Sequence, residues 1–147
     1  MRNNPKSIII HHSLTKDGKV VDWTAITKYH IEHNGWSNNG YHWGIERVGD
    51  KWVIQKGRAE NVQGAHTKEQ GMNVKSIGIC VVGNYDIDDL PKQAFDLLVS
   101  LIKDINKRYK KSFPIESHNK YAKYKTCPGK KFPLKKLINA VYQKGAA

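Results

Sequence analysis

Apolar residues fall along the chain in two kinds of run. Ser7 to His11 and Ser76 to Val82 are short and continuously apolar, the pattern of strands covered on both faces. The first empties into a polar loop at Ser13 to Gly18, which places His11 at a strand end. His42 to Val48 and Lys51 to Gln55 read as two strands, and Gly49-Asp50 between them predicts a tight hairpin because glycine accepts positive φ. Helical spacing appears three times. Asp22 caps a segment running to about Asn34, with Trp23, Ile26, Thr27 and His30 on one face and Gly35 as its stop. Leu90 to Tyr109 carries Phe95, Leu98, Leu101, Ile102 and Ile105 on one stripe, with Pro91 in the tolerant first turn. Leu134, Leu137, Ile138, Val141 and Tyr142 form the last stripe, opened by Pro133. Gly57 to Lys75 and Ile115 to Gly129 have loop composition. Interleaved strands and helices predict one α/β domain over residues 1–147, its core at about 7–143, with a central mixed β-sheet flanked by helices.

The 147 residues are 39% hydrophobic, enough for one buried core, and no stretch approaches the roughly 18 apolar residues of a membrane span. The opening MRNNPKS and three isoleucines are too short for a secretory signal, so the chain is expected to start in the cytoplasm. Formal charge is +12, and residues 103 to 136 hold twelve Lys or Arg against only Asp104 and Glu116. Such a basic face attracts nucleic acid, anionic membranes or anionic wall material, and equally well serves as a solvated surface. Cys80 lies in the apolar run IGICVV and reads as a buried thiol, so no disulfide with Cys127 is expected.

Among seven histidines one grouping has chemistry: His11 at a strand end, then His118 and Cys127 bracketing a late polar loop. Imidazole and thiolate suit zinc, and three protein ligands leave the open position of a catalytic site. His11 and His12 are neighbours on a strand and point to opposite faces, so only one of them joins the set; the residue types alone do not say which.

Four segments in order, IIIHHS, HNGWSNNGYHW, SIGICVVGNYD, and His118 with KTCPGKKFP, resemble type 2 N-acetylmuramoyl-L-alanine amidases over residues 7 to about 138. Their order and spacing are similar to the small phage lysozyme-amidases, and peptidoglycan recognition proteins share the fold. The resemblance implies one zinc ion at an edge of the sheet, held by His11, His118 and Cys127. It implies Tyr41, in the GYH motif, and Lys125, two residues before the cysteine, as catalytic groups. His66, in GAHTK, falls in a segment where the family often has a histidine and is expected to meet substrate. The loop from His118 to Lys125 is about one residue longer than in the phage enzymes, which sets Asn119 against the ligand position without a gap, yet a neutral amide is a poor zinc ligand.

The activity so implied is hydrolysis of the bond between N-acetylmuramic acid and L-alanine in bacterial peptidoglycan. Zinc lowers the pKa of water and polarises the carbonyl, Lys125 meets the developing oxyanion, and Tyr41 passes a proton. Without an export signal, such a lysin is expected to reach the wall as a monomer through a separate holin. Two rivals stand beside it: a recognition module on the same fold that binds peptidoglycan without cutting, and a basic nucleic-acid or polymerase-binding regulator.

Overall fold

The computed structural model describes residues 2–14 and 22–142. The expected loop at Ser13 to Gly18 therefore lies, beyond Leu14, outside the described residues. Five strands form one sheet: β1 (Ser7–His12), β2 (Trp43–Val48), β3 (Lys51–Lys56), β4 (Ser76–Val81) and β5 (Ile115–Ser117). Their spatial order is β3-β2-β4-β1-β5. The β2–β3 hairpin is antiparallel, and every other pairing is parallel, which makes the sheet mixed.

The two continuously apolar runs are β1 and β4, each buried along its whole length and paired to each other at the centre. Their double coverage explains the missing alternation. On one face, Ile8, Ile10, Ile77, Ile79 and Val81 pack against Leu98, Leu101, Ile102 and Ile105 of α2 (Lys92–Tyr109), and α3 (Leu134–Tyr142) adds Leu137. On the other face, α1 (Trp23–Glu32) brings Trp23 and Ile26 onto Cys80 and Val82. Asp22 caps α1 by accepting from the Ala25 amide at 2.8 Å. The buried Glu46 carboxylate of β2 accepts from the Trp23 amide at 2.6 Å and fastens the helix start to the sheet.

One expectation is corrected here. Ile115 to Gly129 does not read as loop throughout, because Ile115–Ser117 pairs in parallel with Ile8–Ile10 as an edge strand, and a short 3-10 turn over His118–Lys120 follows. Only Ile115 of the strand is fully buried, so three residues offer no periodicity to detect. The Gly57 to Lys75 stretch likewise contains 3-10 turns over Glu69–Val74, interrupted where Gln70 and Gly71 adopt φ of 56° and 69°.

Candidate metal centre

Alternation along β1 decides which of the paired histidines faces the cleft. His11 shares a face with Ile9 and lies level with Cys80 of β4. Its Nδ1 is 3.8 Å from Cys127 Sγ, and His11, His118 and Cys127 each present a ligand atom within 4.8 Å of the other two. His12 turns away, and its Nδ1 accepts from the Tyr85 amide at 3.1 Å. His12 serves the cluster through its backbone, where its N–H donates to Cys127 Sγ at 3.3 Å. His118 arrives immediately after β5, the edge strand whose pairing to β1 sets it beside His11, with ring centroids 4.4 Å apart.

The donor set fits zinc. Bonds of about 2.0 Å to nitrogen and 2.3 Å to sulfur in a tetrahedron separate neighbouring N and S ligands by about 3.5 Å, close to the 3.8 Å found between His11 and Cys127. All three side chains are buried, at 1%, 5% and 8% exposure. Burial, then the nearby His66 and His118, holds the His11 imidazole well below its usual pKa, and burial followed by the Lys125 charge lowers that of His118, with Glu69 opposing. Both rings are therefore neutral and able to donate a lone pair. Burial pushes the Cys127 thiol up to about 12, only partly offset by the His12 amide and Lys125, so the sulfur retains its proton until a cation compensates the thiolate.

The loop carrying Cys127 is built by Asp86. One carboxylate oxygen accepts from the Thr126 hydroxyl at 2.8 Å and the other from the Lys130 amide at 2.9 Å. Gly129 turns between them at φ 120°, and a Cβ there would meet the Tyr85 carbonyl carbon at 2.4 Å. Asp86 and Gly129 fall inside the SIGICVVGNYD and KTCPGKKFP segments, yet residue type gives neither a role in the site.

His66 is buried beside the cluster and lines both the cleft above it and the side pocket. Its Nδ1 is 2.9 Å from His11 Nε2 and 3.0 Å from Thr67 Oγ1, and its Nε2 is 3.4 Å from Ser76 Oγ. The ring occupies the space above Gly78 of β4, where an added Cβ would approach it to 2.5 Å. Tyr41 stands beside His11 with ring centroids 5.1 Å apart, and burial, then Cys80 and Cys127, raises its phenol well above the ordinary value. Tyr41 is thus a hydrogen-bond donor at neutral pH. Lys125 is exposed at the rim, with its ammonium 5.7 Å from the Tyr124 ring. His42 accepts from the Gly78 amide and is wholly buried, a structural histidine. Asn119 is exposed and stands outside the cluster.

Above the cluster opens a cleft of about 570 Å³ walled by Trp36, Tyr41, Tyr124 and Lys125. It continues into a side pocket of about 260 Å³ that adds Lys68 and Glu69. Sequence reasoning missed Glu69, whose Oε1 lies 3.6 Å from His118 Nε2 and whose Oε2 accepts from the Tyr124 hydroxyl at 2.6 Å. A cleft with neutral imidazoles, a buried sulfur, a protonated phenol and a rim ammonium suits hydrolysis of an uncharged carbonyl compound.

The sequence pattern of the family described as N-acetylmuramoyl-L-alanine amidase matches residues 1–130. The chain is 33% identical to the endolysin of Escherichia phage T7 over 141 residues, 92% of this chain and 86% of that one. It is 33% identical to Drosophila melanogaster peptidoglycan-recognition protein LB over 65% of this chain and 41% of that protein. Among solved structures, the endolysin amidase LysCS of Clostridium intestinale superposes with a TM-score of 0.79 at 29% identity, covering 94% of this chain and 83% of its own.

Proposed function

This chain belongs to the N-acetylmuramoyl-L-alanine amidase family, and on that premise we propose that it is a phage-endolysin type enzyme, hydrolysing the amide between N-acetylmuramic acid and L-alanine of peptidoglycan at a single zinc ion. The observation that carries this reading is the buried His11, His118 and Cys127 trio at the floor of an open cleft. In our reading these three hold the zinc, residues 1–147 act as one catalytic domain, and the wall is reached with the help of a separate holin.

A zinc ion held there supplies Lewis acidity toward an amide carbonyl and toward water. The protein's own groups do the rest. His66, its ring fixed over Gly78, holds His11 through Nε2 and leaves Nδ1 toward Cys127. Lys125, at the rim, brings an ammonium to the oxygen that gains charge as the carbonyl becomes tetrahedral. Tyr41, protonated at working pH, donates a hydrogen bond to that centre or a proton toward the departing nitrogen. Trp36 and Tyr124 supply flat apolar walls against which a sugar ring or peptide can lie.

The test is release of stem peptide from purified peptidoglycan, with mass spectrometry of the cut, before and after chelation. New L-alanine amino termini that vanish on chelation and return with zinc support the enzyme. Wall that is bound and left intact identifies a recognition module instead.

A further inference from the structure

His11 turns Nδ1 toward Cys127 and has its other nitrogen on the protein side. At His11 the outward nitrogen is taken by His66 and Thr67. At His118 the group in that place is the Glu69 carboxylate, 3.6 Å from Nε2. The Glu69 side chain is 18% exposed, which is low for an acid in a long surface segment. Its direction is set twice. The backbone reverses at Gln70 and Gly71, both at positive φ, so the acid is turned back toward the cleft. From the opposite wall, the Tyr124 hydroxyl donates to its second oxygen at 2.6 Å and closes a bridge between segments 55 residues apart. Of the residues lining the side pocket, Glu69 is the one carboxylate, set among Lys68, Lys125, His66 and His118.

We propose that Glu69 is a positioning residue for the metal ligand His118. Its carboxylate accepts from His118 Nε2–H, which fixes the tautomer with the Nδ1 lone pair toward the zinc and increases the donor strength of the ring. Tyr124 holds the carboxylate in that orientation. The present 3.6 Å is ion-pair distance, and a closure of about half an ångström gives the hydrogen bond. The motion is available because Tyr124 is exposed and the pocket beside it is open. Glu69 touches neither the reacting atoms nor the other two ligands; it acts through His118. This inference rests on the reading of His118 as a zinc ligand.

The experiment is competition for zinc between the full-length chain and a chromophoric chelator, for the wild type, Glu69→Ala, Glu69→Gln, Tyr124→Phe and His118→Ala. Visible spectra of the cobalt-substituted proteins and melting of the zinc-free forms accompany it. Glu69→Ala should bind zinc about 10- to 100-fold more weakly, the range for loss of a group that orients a ligand. Glu69→Gln keeps an acceptor oxygen without the charge and should fall between Ala and wild type, with a shifted cobalt spectrum and unchanged zinc-free melting. Tyr124→Phe should weaken binding in the same direction and by less. If Glu69→Ala fails to fold, the Gln variant carries the test. Wild-type zinc affinity and cobalt spectrum in both Glu69 variants, while His118→Ala loses zinc, overturns the role of Glu69 alone. A wild-type chain that binds no zinc, or a His118→Ala variant that binds it normally, overturns the site itself and this inference with it.

Discussion

At the level of single residues, the proposed roles separate by what each substitution removes. His118→Ala and Cys127→Ala delete a ligand atom from the trio, so zinc content and activity should fall together, as read by metal analysis and peptide release. Lys125→Ala deletes a rim ammonium that stands outside the trio; zinc content should stay at wild type while turnover drops about 10²-fold, the scale for one oxyanion partner. Wild-type turnover in that variant sinks the role of Lys125. The residues that bear reactive groups were the legible ones, because imidazole and thiol are scarce and their chemistry is narrow. His11 could not be told from His12 by residue type, and the fold separates them through strand alternation and the Tyr85 amide that engages His12. Glu69 was not legible, and Asp86, though it ends the SIGICVVGNYD segment, had no readable role, since an acid on a loop reads as solvated until its partners, 40 to 55 residues away, are known.

Elements bring these side chains into register, and the tolerance of the site is set by strands more than by loops. Gly78 of β4 leaves room for the His66 ring, so Gly78→Ala should either push that ring off His11 or displace the strand. The expected loss is about 1–3 kcal/mol in denaturant unfolding together with weaker zinc binding; a variant unchanged in both shows that the contact relaxes freely. A second tie joins the segment after β3 to α2: Glu60 accepts from Trp43 Nε1, from Arg108 at 2.8 and 2.9 Å, and from the Tyr109 hydroxyl. Burial alone raises its pKa, but these donors together hold the carboxyl below the ordinary value. A carboxyl lowered in the fold contributes its stability above the unfolded value of about 4.3 and loses it as pH falls through the folded value. Stability should thus decline below about pH 5, and Glu60→Gln should be less stable at neutrality with a shallower acid decline in melts across that range. The buried strands were readable as continuous apolar runs, the hairpin by its Gly49-Asp50 turn, and the three helices by stripes of four or five residues at helical spacing. Strand β5 was not, because its existence depends on β1 offering a free edge and its own three residues contain one buried apolar side chain.

For the whole molecule, the feature that outlasts the site description is charge. The formal +12 sits on a chain whose described ion pairs are few and mostly exposed, so most of the field is uncompensated. Lys125 lines the cleft and Lys68 the side pocket, whereas the lysines of α2 and α3 lie on helices that cover the opposite face of the sheet, so the basic charge surrounds the molecule rather than gathering at the cleft. A field of that sign draws an anionic wall to the molecule and raises the encounter rate, while contributing little once the amide is seated. The consequence is a split in the salt dependence of catalysis. Raising ionic strength from about 50 to 300 mM shortens the screening length from about 14 to 6 Å. KM on intact sacculi should then rise several-fold while kcat on a soluble muropeptide stays nearly constant. Equal salt sensitivity on both substrates locates the effect in the cleft, at Lys125 and its neighbours, instead of in the long-range field. DNA should bind with the same salt sensitivity and without sequence preference, because charge is all the two polymers share.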